Sequence, residues 1–258
     1  MIMKIHTSIS LFFALFCAVT VSAVDTVPNH LQEISITLQT GNGSGSGVIF
    51  TRKDANGELV NFVWTAGHVV ASMRTEREVI SPDGNKRTVV EFNDAKVVKE
   101  LHENSRTVGR TEMDAELLKY SSAENGEDVA LLRLRKRNFV TDSVVFYLDK
   151  EVPPIGTELY HVGSLLGQRG ANSMTTGIVS QQGRVFEKRV YDQTTVTAFP
   201  GSSGGGVFLR DGRYCAMLVR GSGEQFNLVV PIRRIREFAE KAKILWALDP
   251  KIPLPSDA

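Results

Sequence analysis

The apolar residues of this chain come in short bursts. Ile34, Ile36 and Leu38 alternate with polar neighbours, as do Met113, Ala115 and Leu117. Brief continuous runs recur at Val48–Phe50, Phe62–Trp64, Val129–Leu132, Cys215–Val219 and Leu228–Val230, and Gly, Asn, Asp and Pro punctuate them. Period-two alternation and short runs bounded by turn residues are strand signals. A long series of them without intervening helical patterns predicts an all-β chain, either a sandwich or barrels. One helical pattern comes last. Ile232, Ile235, Phe238, Ala239, Ala242, Leu245 and Trp246 fall at three- and four-residue spacing, with charges on the other face. Pro231 suits its first turn and Pro250 lies beyond its end.

Composition removes several classes of function. The 258 residues carry 30 Lys+Arg against 29 Asp+Glu, without a long run of one sign, so no nucleic-acid partner is expected. The only cysteines are Cys17 and Cys215, which excludes a disulfide-stapled scaffold and a four-cysteine zinc site. Metal-ligand spacing, a phosphate loop and a redox pair are all missing, so neither a metal nor another cofactor is expected. Asn42-Gly43-Ser44 is a glycosylation sequon that matters only in a eukaryotic secretory pathway.

The first 23 residues read as an address. Lys4 gives a thin positive start, an apolar stretch runs from Ile9 to about Val21, and Val21-Ser22-Ala23 offers the small residues of a cleavage site. The apolar run is short for a span of roughly 20 residues, so cleavage after Ala23 and export, periplasmic or secreted, are expected, with no stable membrane span afterwards. Pro153-Pro154 is the best mid-chain linker. The expected organisation is a signal peptide over 1–23, a first domain over 24–152, a second with the helix over 153–246, and a flexible tail or surface strap over 247–258. No sequence feature sets an oligomeric state.

Three segments stand out together: Phe62-Val-Trp-Thr-Ala-Gly-His68, Gly126-Glu-Asp128-Val-Ala-Leu-Leu, and Pro200-Gly201-Ser202-Ser203-Gly204-Gly205. Each alone has a bland reading as a rim histidine, a turn aspartate or a flexible loop. Their order along the chain, His then Asp then Ser, makes coincidence improbable. With Gly45-Ser-Gly47-Val-Ile, Thr176-Gly-Ile-Val-Ser180 and Gln193-Thr194, these motifs resemble the chymotrypsin-like (trypsin-fold) serine peptidases. The resemblance is to their bacterial-type branch, related to the high-temperature-requirement (HtrA) proteases, and runs from about residue 31 to residue 240.

The resemblance implies two antiparallel β-barrels with a C-terminal helix, and an exported serine endopeptidase acting on protein or peptide substrates. It assigns the nucleophile to Ser203, the base to His68 and the orienting carboxylate to Asp128. A serine hydroxyl needs a base to take its proton, and a carboxylate on the far ring nitrogen fixes the imidazole tautomer. The resemblance places oxyanion donors at the backbone N–H groups of Gly201 and Ser203.

Rivals exist for each role. His30, His102 and His161 lack the strand-then-histidine context, Asp114 belongs on the wet face of a strand, Ser202 and Ser46 are out of register, and Cys215 sits in an apolar run. The alternative function is a catalytically silent binding or adaptor protein on the same scaffold. An esterase is disfavoured because no Gly-x-Ser-x-Gly elbow is placed between a strand and a helix.

The chain departs from the family in three places. Ser202 stands where many digestive relatives carry an aspartate that receives a new N-terminal ammonium, so no zymogen switch of that kind is expected. The disulfides of those relatives are missing. Little chain follows Trp246, so regulation by an added PDZ domain and cage assembly are not expected. In the primary pocket, Thr197 stands six residues before Ser203 and is not an acid, and no histidine follows Ser203. With Val219, Arg220 and Gly221 as the candidate wall, a small or medium apolar side chain is the expected preference, unless Arg220 points inward and recruits an acid.

Overall fold

The computed structural model describes residues 27–41, 43–103, 106–221 and 225–256. The expected signal segment and the sequon's Asn42 lie outside the described residues. In chain order the elements are α1 (Val27–Glu33), β1 (Ser35–Thr40), β2 (Gly43–Lys53), β3 (Leu59–Thr65), α2 (Gly67–Val70), β4 (Arg74–Ile80), β5 (Lys86–Phe92), β6 (Ala95–Glu103), β7 (Arg106–Ser121) and β8 (Val129–Leu134). After a long connection come β9 (Glu158–Leu165), β10 (Gly170–Phe186), β11 (Arg189–Thr194), β12 (Gly206–Leu209), β13 (Tyr214–Gly221), β14 (Asn227–Pro231) and α3 (Ile232–Lys241).

The strands close into two antiparallel barrels, as the resemblance implies. The first runs β1-β2-β3-β8-β7-β6 and the second β10-β11-β14-β13-β12-β9. Closure removes the open edges that would otherwise invite pairing with another chain. The fully apolar runs become the most buried strands, because they face a barrel interior on one side and packed chain on the other. Ala130, Leu131 and Leu132 of β8 and Phe62 and Val63 of β3 are completely buried. β4 and β5 form a separate two-stranded ribbon, largely exposed on both faces, with cross-strand ion pairs such as Arg77–Glu91 at 2.8 Å.

Pro153-Pro154 falls inside the connection between β8 and β9. The buried side chain of Asn61 pins this connection, donating to Val140 O at 2.9 Å and accepting from Phe139 N–H at 3.0 Å. The helix is shorter than the periodicity predicts. α3 stops at Lys241, Lys243 takes a left-handed φ of 58°, and Leu245–Ala247 form a separate 3₁₀ turn. Trp246 still reaches the first barrel, packing 5.0 Å from Phe62, and Trp64 donates its indole N–H to Ala247 O at 3.1 Å. The chain end is a strap. Arg52 of β2 donates to the carbonyls of Trp246, Asp249 and Ile252.

Candidate active site

Three loops converge where the barrels meet. The first follows β3, whose apolar run ends at Thr65; the buried Thr65 hydroxyl donates to Ser46 O at 2.7 Å. α2 then starts at once and carries His68, whose ring stays partly exposed. The second loop turns between β7 and β8 and ends on Asp128, which is 1% exposed. Asp128 holds φ at 57°, a left-handed conformation that aspartate tolerates better than most residues but that still needs support from its surroundings. Its Oδ1 accepts the His68 backbone N–H at 2.9 Å, and both carboxylate oxygens lie 3.0 Å from His68 Nδ1. A buried carboxylate on Nδ1 puts the ring proton there and leaves Nε2 as the free base.

The third loop joins β11 to β12 and carries the glycine–serine cluster. Ser202 and Ser203 are chemically alike, and the backbone separates them. Ser202 is buried and its Oγ accepts the Phe199 N–H at 3.1 Å, which closes a tight turn. Ser203 is half-buried and lines a cleft of about 640 Å³. Strand β2 templates this loop. Ser46 N–H donates to Ser203 O at 2.7 Å, and the Ser46 hydroxyl donates to Gly201 O at 2.7 Å. Gly45 beside it lies so close that a Cβ there would meet the Val69 methyls at 2.5 Å and Ser203 O at 3.1 Å. The same glycine therefore seats both the helix of His68 and the loop of Ser203. Ser203 and His68 share no hydrogen bond; a bond between nucleophile and base often tightens only when substrate binds.

The orientation of the next peptide is fixed from the second barrel. Leu166 N–H donates to Pro200 O at 2.8 Å. In a trans peptide the carbonyl and the following N–H point in opposite directions. Drawing the Pro200 carbonyl back to Leu166 therefore turns the Gly201 N–H outward. The N–H groups of Gly201 and Ser203 donate to no acceptor among the described residues. Gly201 has φ of 97°, and a Cβ there would meet Ser164 O at 2.3 Å, so only glycine fits.

The cleft is lined by Thr197, Ala198, Phe199, Leu218, Arg220 and Gly221, among others. Val219 is not on its wall. It is the unpaired extra residue between the pairs Leu218↔Val229 and Arg220↔Leu228, and its side chain is buried in the core. That bulge presents Leu218 to the cleft instead. Arg220 does reach the cleft, but its guanidinium is occupied, donating to Glu187 at 2.8 Å and lying 5.2 Å over the Phe186 ring.

The rival residues sit elsewhere. Asp114 is exposed and paired with Lys96 at 3.1 Å. Cys215 is buried, and burial pushes its thiol up to about 12, so it stays protonated. His102 faces Glu33 at 3.9 Å. His161 lies wholly inside the second barrel, with Nδ1 3.0 Å from Gly206 O, and burial pulls its value down to about 4.

In the sequence Ser46 stands out only as a rival nucleophile; its bridging role needs a partner 155 positions away. Leu166 carries no signal, because it acts through its backbone.

The family profile described as a trypsin-like peptidase domain matches residues 45–217, which span all three loops. The chain belongs to the trypsin-like peptidase family. Its enzyme class is serine-type endopeptidase, and the family implies peptide substrates. Comparison with curated proteins finds no match. Among solved structures, the serine endoprotease from Yersinia pestis is similar, with a TM-score of 0.59 at 17% identity over 86% of this chain and 68% of that one. AlgW, an HtrA-type protease solved with a tripeptide, gives 0.60 at 16% identity, covering 86% of this chain and 64% of its own. Deg5 gives 0.58 at 17% identity over 86% and 94% of the two chains. These likenesses establish the shared two-barrel fold. Among the described residues no helix is long and apolar enough to cross a membrane.

Proposed function

We propose that this peptidase is an exported enzyme, carried by residues 1–23, that cleaves peptide bonds through an acyl-enzyme on Ser203. The observation that carries the reading is the contact of the buried Asp128 carboxylate with both the ring Nδ1 and the backbone N–H of His68. His68 Nε2 takes the Ser203 Oγ proton as Oγ bonds to the scissile carbonyl carbon. The oxyanion so formed is met by the Gly201 and Ser203 N–H groups. The C–N bond then breaks, and His68 returns the proton to the leaving amine. Water repeats the sequence on the ester and restores Ser203.

The cleft wall of Ala198, Leu218 and the Phe199 ring supports a preference for small or medium apolar side chains. Arg220, held by Glu187, offers no free charge to an acidic one. The Ser202–Phe199 hydrogen bond closes the loop locally, which supports activity without a second N-terminal cut. The test is covalent labelling of the purified protein with a fluorophosphonate probe, read as intact mass beside Ser203→Ala. Wild type should gain one adduct and Ser203→Ala none. A folded wild type that stays unlabelled overturns the reading.

A further inference from the structure

We propose that Arg234 is a positioning residue for Asp128, through which α3 of the second barrel holds the acid of the first. The inference rests on the proposed roles of Asp128 and His68. Arg234 is one of the charged residues of α3, yet it is only 6% exposed. Its guanidinium lies 4.7 Å over the Tyr191 ring and donates to Val190 O at 2.9 Å, which anchors it within the second barrel. Its remaining donors cross to the first barrel. Nε and Nη2 reach Glu127 Oε2 at 3.0 and 2.8 Å, and Nη2 also reaches the Glu127 carbonyl at 3.1 Å.

That carbonyl belongs to the peptide whose N–H is Asp128's own. The N–H end is in turn tied to Ser122 O at 3.3 Å. The peptide plane entering Asp128 is thus fixed at both ends, one of them by Arg234. Asp128 needs such support because its left-handed φ would otherwise relax to a commoner region, and the carboxylate would swing off Nδ1. Arg189 reinforces the same loop, donating to Ala123 O at 3.0 Å and Glu124 O at 2.7 Å. Neighbouring Arg233 provides the contrast. It pairs with Asp192 at 2.6 Å within the second barrel and makes no hydrogen bond to the loop of Asp128.

The experiment compares Arg234→Met, Arg234→Lys, Arg233→Met and Asp128→Asn in the full chain, with Tm measured for each. Displacing a reacting group by about 1 Å costs on the order of a hundredfold. Arg234→Met should therefore lower kcat by about tenfold to a hundredfold with KM little changed. It should also weaken the low-field proton resonance of His68 Nδ1–H. Arg234→Lys keeps a cation but lacks the fork, and should recover only part of the rate. Arg233→Met should keep kcat and the resonance even if its Tm falls as far. Equal loss of kcat in Arg233→Met and Arg234→Met would overturn the proposal, because helix docking alone would then explain it. Full activity in Arg234→Met would overturn it too, provided Asp128→Asn loses about 10⁴. If Asp128→Asn is itself fully active, the parent reading of the site fails.

Discussion

His161 should make this protein lose stability in mild acid by an amount that can be worked out in advance. The ring is completely buried, Nδ1 donates to Gly206 O at 3.0 Å, and Nε2 has no hydrogen-bond partner. A second proton would have to sit on Nε2, buried and facing no hydrogen-bond acceptor. Burial accordingly depresses the folded value to about 4, against 6.5 for a free histidine. Below 6.5 the unfolded chain binds a proton that the folded one refuses, so stability is full above 6.5 and drains as the pH falls toward 4. One pKa unit is about 1.4 kcal/mol. The loss attributable to His161 is then roughly 2 kcal/mol at pH 5 and about 3 kcal/mol at pH 4. Urea unfolding of wild type and His161→Leu at several pH values between 7 and 4.5 isolates it, since other groups titrate in both. The difference between the two curves should change with pH by the stated amount. Parallel curves would refute the reasoning and place a proton acceptor beside Nε2.

Three further outcomes follow from the nucleophile loop and its cleft. Ser202→Ala should still be labelled by a fluorophosphonate, while urea unfolding shows a loss of about 1–2 kcal/mol from the orphaned Phe199 N–H; loss of labelling would make Ser202 the nucleophile. Gly201→Ala, which forces a Cβ to within 2.3 Å of Ser164 O, should lower kcat by about 10²–10³ in steady-state assays with a smaller effect on KM. Unchanged kcat would remove the Gly201 N–H from the proposed oxyanion hole. A peptide-library profile should show small or medium apolar residues before the cleaved bond, and dominance of Lys or Arg would contradict the wall of Ala198 and Leu218.

Sequence carried the fold class because strands of a closed barrel write their burial locally. Each buried run is its own evidence, and the resemblance supplied the closure into two barrels. It did not carry the ribbon of β4 and β5, whose strands are largely exposed on both faces and lack an apolar period. Nor did it carry the displacement of Val219, since a bulge shifts a side chain without changing the apolar pattern around it. The apolar spacing overstates the terminal helix, because it continues through Trp246 while the helix ends at Lys241 and Lys243 turns left-handed. His68, Asp128 and Ser203 stood out through their local motifs. The groups that orient their loops did not. Ser46, Leu166 and Arg234 reach across 155, 34 and 107 positions of chain, and no local pattern encodes such a contact.

Those long contacts bear on where the site's rigidity comes from. The Ser203 loop belongs to the second barrel, yet its Gly201 and Ser203 carbonyls are both held by Ser46 of the first. Ser46 Oγ in turn accepts the Ser164 N–H at 2.7 Å, and the Ser164 hydroxyl bonds Thr37 of β1, so the bridge is buried and polar at both ends. In the opposite sense, the Asp128 loop belongs to the first barrel and is gripped by Arg189 and Arg234 of the second. Each barrel therefore supplies groups of the proposed site and also the hydrogen bonds that orient the other's. Buried hydrogen bonds of this kind are costly to leave unmade, because separating the barrels strands donors and acceptors on both surfaces. The interface is thus held by the same contacts that shape the site, and a small slip between the barrels would disturb the carboxylate and the proposed oxyanion donors together.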